Sequence, residues 1–152
     1  MNSQGSVSYI QEKRAVDLVA LHLLQMPTLV VEKEPSPSFR FDLLVRLSNK
    51  SSDWNKIVAV EAKATENYPL NKRGLTFSPS FRGAIVESRS PICLFVADVL
   101  FNSIYWCWLK RPIGTTLEKQ RLSNLPLLPS NPVSLKLVLK EARDYYQLLE
   151  SR

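Results

Sequence analysis

The chain of 152 residues has the size of one ordinary domain, enough to bury about two-thirds of the surface its unfolded form exposes, so residues 1–152 read as a single domain. With 45% hydrophobic and 22% charged residues a disordered chain is excluded; no run of about eighteen apolar residues and no basic-then-apolar N-terminus points to a membrane, and the expected location is cytoplasmic. Twenty Lys and Arg against fourteen Asp and Glu leave +6, a balance compatible with a polyanionic partner.

Residues 7–26, VSYIQEKRAVDLVALHLLQM, place apolar side chains at three- and four-residue spacing and stop at Pro27, which predicts an amphipathic helix. His22 lies within it and reads as a partly buried helix residue rather than a catalytic one. TLVVEKE at 28–34 predicts a short strand and PSPS at 35–38 a turn. In FRFDLLVRL, 39–47, Phe39, Phe41, Leu43, Val45 and Leu47 alternate with Arg40, Asp42, Leu44 and Arg46, the pattern of a half-buried strand. The polar stretch 48–56 suits a hairpin loop into IVAVEAKAT, 57–65, so these two strands are expected to be antiparallel neighbours.

Residues 66–80 lack a period and read as loop, and 81–90 as a short helix. PICLFVADVL at 91–100 predicts a buried strand, followed by a turn near Phe101 and Asn102 and a partner strand, SIYWCWLKR. Cys93 and Cys107 lie in these runs and read as reduced, buried thiols; two cysteines and one histidine do not make a structural zinc site. Trp106 and Trp108 share a strand face, which favours an inward position over base stacking. Residues 112–132 read as loop with a helical turn at 116–122, and the chain ends with strand-like alternation and a helix over 138–150. This order gives an α/β fold, a mixed central sheet flanked by helices.

The strand 57–65 raises a physical question. Alternation puts Glu61 and Lys63 on one face with Ile57 and Ala59, and Val58, Val60 and Ala62 on the other, so two charged heads meet on a core strand. Burying charge is expensive, and an ion pair there seldom improves on an apolar pair of the same volume. Hairpin pairing across 48–56 also brings Asp42 toward Glu61, and two adjacent carboxylates repel unless a cation separates them. Mg²⁺ suits the arrangement, because it takes one or two carboxylates, accepts a backbone carbonyl such as that of Ala62, and keeps water and phosphate oxygens in its other positions. Lys63 would then stand beside the attacking water, placed to orient or deprotonate it and to neutralise charge on a phosphate.

Asp42, the eighteen residues 43–60 and then Glu61-Ala62-Lys63 on an apolar strand, all preceded by an amphipathic helix, resemble the PD-(D/E)xK nuclease superfamily. The segment RSPICLFVADVLFNSIYWCWLKRP, 89–112, is similar to the second half of a bacterial nuclease-like domain of unknown function, where a Pro, an apolar strand and an Asp precede a Trp-bearing strand. The resemblance spans about residues 7–112. It implies a restriction-endonuclease-like α-β-β-β-α-β core, Mg²⁺ or Mn²⁺ as cofactor, Asp42, Glu61 and the Ala62 carbonyl as ligands, and Lys63 as the water-side cation. It also implies an auxiliary acid on the first helix. Glu12 fits that role because it shares a stripe with Val16, Val19 and Leu23, whereas Asp17 leans toward Leu21 and Leu24. Phe41 stands where the superfamily has Pro, and the Gln that often follows the Lys is missing, with Arg82 or Arg89 the nearest polar substitutes.

The expected activity is metal-dependent hydrolysis of phosphodiester bonds in DNA or RNA, with Lys72, Arg73, Arg82 and Arg89 as phosphate contacts. Two other readings stay open. One is a catalytically inactive nuclease-fold module that binds nucleic acid or a protein in a defence or mobile-element complex; the other is an adaptor that docks through its Trp-rich strand. In a chain this short, sequence specificity calls for a homodimer or a partner protein. No Gly-rich phosphate loop, serine triad or cysteine-histidine pair is present to support other chemistries.

Overall fold

The computed structural model describes residues 2–33, 35–66, 77–112 and 127–151. The elements run α1 (Asn2–Leu23), β1 (Val30–Lys33), β2 (Leu43–Arg46), a 3-10 turn (Ser51–Asp53), β3 (Ile57–Thr65), α2 (Pro79–Glu87), β4 (Ile92–Asp98), β5 (Ser103–Lys110), β6 (Leu128–Pro129) and α3 (Pro132–Glu150). The strands form one open sheet in chain order. Every neighbouring pair is antiparallel except β3 and β4, and α2 lies in the crossover that a parallel pair requires. Among the described residues the architecture is therefore α/β with a six-stranded mixed sheet and three helices.

Side-chain alternation in the central strands builds two cores. Val58, Val60 and Ala62 of β3, with Cys93, Phe95 and Ala97 of β4, meet Val19 and Leu23 of α1 and Leu135, Val138 and Leu139 of α3. Ala59 with Ile92, Leu94 and Val96 packs on the other side against Phe77 and Ile85. Helices α1 and α3 therefore cover one face and α2 the other, which leaves β4 buried along its whole length. Trp106 and Trp108 point inward to the α1–α3 side. Trp108 Nε1 donates to Glu141 (2.9 Å), whereas the buried Trp106 Nε1 has no partner among the described residues. Both cysteines are free and buried, and His22 is half-buried. Among the described residues no helix is long and apolar enough to cross a membrane.

Several boundaries differ from expectation for identifiable reasons. Helix α1 begins earlier than residue 7 and ends at Leu23, after which Gln25 and Met26 bond to His22 and Leu23 in tightened turns ahead of Pro27. Strand β1 is shorter than 28–34. The strand expected over 39–47 contains only Leu43–Arg46, because the β1–β2 and β2–β3 ladders both stop at Leu43 and the chain bends at residues 41–42. Phe39 and Phe41 consequently leave the face of Leu43 and Val45 and join the α2-side core, where Phe41 meets Phe81 edge-on at 5.7 Å.

Helix α2 starts at Pro79 rather than 81, since the Ser78 hydroxyl accepts from Phe81 N–H (3.1 Å) as its N-cap. Its C-terminal turn is closed by the Lys110 ammonium, which donates to the carbonyls of Ile85 and Val86 (3.1 Å each) and of Ser88. The strand-like alternation after residue 132 is helix: Asn131 and Ser134 form a reciprocal capping box, Pro132 sits at the first position, and the buried set is Leu135, Val138, Leu139 and Ala142. Val133 and Leu137, which completed the apparent alternation, are exposed. Strand β6, which pairs two residues with Tyr105 and Trp106, was not expected, and the helical turn expected at 116–122 lies outside the described residues.

Candidate metal and phosphate site

The end of the β2–β3 ladder creates the site. Leu43 and Val60 are the last residues in register, so beyond them Ala62 has no backbone partner on β2. The Asp42 carboxylate takes that place, its Oδ2 accepting the Ala62 N–H at 2.9 Å. The bend that shortens β2 thus converts a ladder hydrogen bond into a fixed carboxylate. On a strand the N–H and C=O of one residue point to the same neighbour, so the Ala62 carbonyl faces the same side as Asp42.

Glu61 stands next in β3 with its side chain on the α2 face, 8% exposed, and hydrogen-bonds to Asp42 carboxyl to carboxyl. Lys63, two residues on and on the same face, places Nζ 3.8 Å from Glu61 Oε1 and 5.6 Å from the centre of the Phe77 ring. Burial, foremost, and then the neighbouring Asp42 charge push the Glu61 carboxyl up to about 8; Lys63 opposes the rise, while the bond to Asp42 and the charge of Glu12 add to it. Glu61 therefore holds a proton at neutral pH, and a cation placed between the two carboxyls would displace it.

Helix α1 reaches this end of the sheet. Gln11 bonds to Glu66, just past the end of β3, and Arg14 to Asn102, just before β5. Val16, Val19 and Leu23 pack onto the sheet, and the exposed Glu12 continues their stripe near enough to act on Glu61. Asp17 is engaged elsewhere, in an ion pair with Lys33. Arg82 and Arg89 are both exposed; Arg89 precedes β4 where Ile92 pairs with Ala59, nearer the start of β3 than Lys63 is. Lys72 and Arg73 lie outside the described residues. Phe77, under the Lys63 ammonium, is an additional neighbour of the site that spacing did not single out.

A groove of about 280 Å³ opens on the same face, floored by Ala59 and walled by Phe39 and Phe41, with the Arg40–Glu87 pair (3.6 Å) at its margin. It adjoins the carboxylates through two chain connections, Phe41 to Asp42 and Ala59 to Glu61. Asp98, by contrast, is structural: it is buried and its Oδ1 accepts the N–H groups of Leu100 and Phe101 in the β4–β5 turn. His22 bonds to Ser130 Oγ at 2.6 Å on the opposite side of the sheet, and burial lowers its pKa.

The donor set fits a hard, sparsely ligated cation. Among the described residues no three histidine, cysteine or carboxylate side chains converge on one point, the arrangement expected of a closed metal cage. Two neighbouring carboxyls and one backbone carbonyl could hold magnesium, which takes few protein ligands and completes its shell with water and phosphate oxygens. Comparison with protein-family models, curated proteins and solved structures finds no match for this chain.

Proposed function

We propose that this protein is a metal-dependent phosphodiesterase acting on nucleic acid, DNA before RNA, on a restriction-endonuclease-like core. The observation that carries the reading is the convergence of Asp42, Glu61 and Lys63 where the β2–β3 ladder ends, at a desolvation cost for Glu61 that an apolar residue would avoid. The succession α1, β1, β2, β3, α2, β4 supports it, being the α-β-β-β-α-β order that the PD-(D/E)xK resemblance implies. The +6 charge supports a polyanionic substrate.

Asp42, Glu61 and the Ala62 carbonyl would hold Mg²⁺ or Mn²⁺, with Glu12 as an auxiliary acid from α1. A bound ion would polarise the scissile phosphate and acidify an attacking water. The chain does the rest. Asp42 is pinned through Oδ2 by the Ala62 N–H, which leaves Oδ1 as the oxygen that would meet an ion. Glu61 would give up its proton to serve as a ligand. The Lys63 ammonium, steadied over Phe77, orients water and offsets negative charge on the phosphate oxygens.

Calorimetric titration with Mn²⁺, alongside cleavage of labelled DNA with and without the ion, tests this. Wild type should bind the ion and cleave; Asp42→Ala should lose both. Lys63→Met should bind the ion and lose about two to three orders of magnitude in turnover. Equal ion binding by wild type and Asp42→Ala would rule the site out.

A further inference from the structure

Residues 99–102 join β4 to β5, and two of them, Leu100 and Phe101, are 62% and 77% exposed. Turns of this kind ordinarily carry polar residues. This one is nevertheless held from several sides. The buried Asp98 carboxylate accepts from Leu100 N–H at 3.0 Å and Phe101 N–H at 3.2 Å, and Val99 N–H donates to the Thr65 carbonyl at 2.9 Å. Asn102 takes a positive φ of 56°, and its Oδ1 accepts from the Arg14 guanidinium at 3.3 Å. A buried carboxylate thus fixes the backbone of two residues whose large apolar side chains stand mostly in solvent.

The location matters as much as the exposure. Thr65 pairs with Asp98, so the tip projects from the sheet end two residues beyond Lys63. The elements that meet there carry Arg14 beside Asn102 and, five residues earlier on α1, an exposed Tyr9. An exposed aromatic at the tip and a guanidinium bonded to the same turn, in a protein of net positive charge, suit a polyanion with flat apolar faces. Two side chains are far too little for a stable protein interface, which buries roughly 800 Å² per partner, whereas one aromatic ring is enough to stack one base. Paired bases in a duplex cover one another, and reaching them costs unstacking that an unpaired strand avoids.

We propose that the β4–β5 tip is a base-stacking contact for single-stranded nucleic acid, with Phe101 as the stacking face and Arg14 as the adjoining cation. This deepens the phosphodiesterase reading and rests on it: the strand delivered toward Glu61 and Lys63 carries unpaired bases.

The test is fluorescence anisotropy in EDTA with a labelled single-stranded oligonucleotide of about a dozen nucleotides and its blunt duplex. Wild type should prefer the single strand, Phe101→Ala should bind it roughly five- to a hundred-fold more weakly, and Phe101→Trp should restore binding. Since Phe101 is exposed, all three proteins should melt at the same temperature. Equal affinity of wild type and Phe101→Ala, a preference for the duplex, or no binding at all would each overturn the proposal. Phe101-dependent binding without metal-dependent cleavage would strike the hydrolytic reading and leave this contact standing.

Discussion

A carboxyl that keeps its proton to about pH 8 makes the stability of the whole chain depend on pH. Unfolded, Glu61 ionises near 4.5; folded, it stays neutral until about 8. Through that window the unfolded state gives up a proton that the folded state retains. The contribution of Glu61 is therefore full below pH 4.5 and is lost as pH rises to 8, by about 1.4 kcal/mol per unit at its steepest. Glu61→Gln keeps the shape and removes the titration. Urea melts of both proteins from pH 5 to 9, without divalent ions, should show the variant gaining on wild type until about pH 8 and then running parallel. An unchanged gap across the window would mean that Glu61 is ionised throughout. The placement of Glu61 and Lys63 was readable from period-two alternation alone. The contact with Asp42 was foreseen from hairpin pairing, but its form was not: no spacing rule says that Asp42 leaves the strand and takes the Ala62 N–H with its side chain.

At the scale of elements, residue types predicted well where one period dominated and poorly where two overlapped. Strand β3 was legible to the residue, because small and β-branched side chains bounded by polar stretches admit one reading. Residues 133–139 admitted two. Val133, Leu135, Leu137 and Leu139 alternate, while Leu135, Val138, Leu139 and Ala142 follow a helix, and the capping signal Asn131-Pro132-Val133-Ser134 decides between them. Phe39 and Phe41 were misplaced for a related reason: alternation assumes an unbroken strand, and the bend at residues 41–42 reverses the face. If the cap determines where α3 starts, Asn131→Ala should lower stability by about 1 kcal/mol, and Asn131→Asp should largely preserve it. Equilibrium unfolding checks this. Equal loss in both variants would show that Asn131 acts through something other than its cap oxygen.

For the whole molecule, an ion held between Asp42 and Glu61, as proposed, would couple its binding to folding, because the two carboxyls are adjacent only in the folded chain. An ion that binds the native state alone stabilises it by RT ln(1 + [L]/Kd), about 2.7 kcal/mol at a hundred times Kd. Below pH 8 binding must also expel the Glu61 proton, so affinity should rise with pH and level off near 8. An ion bound there would offset the stability that ionisation of Glu61 removes, and melting curves in saturating Mn²⁺ should lose the decline expected between pH 5 and 8 without it. Titration at pH 7 in buffers of different ionisation enthalpy should show close to one proton released per ion by wild type and little by Glu61→Gln. A large Mn²⁺ stabilisation with no proton release would place the ion away from Glu61, and with it the chemistry. An ion held between them would also ease the repulsion within the Asp42–Glu61 carboxyl pair. The pair weakens the ion-free protein as pH rises, and the core of β4, buried along its length between helices on both faces, supplies the stability to tolerate it. Phe95→Ala, which empties the largest fully buried side chain, should therefore cost about 3–5 kcal/mol and leave the ion-free protein least stable at high pH, where Mn²⁺ should rescue it most.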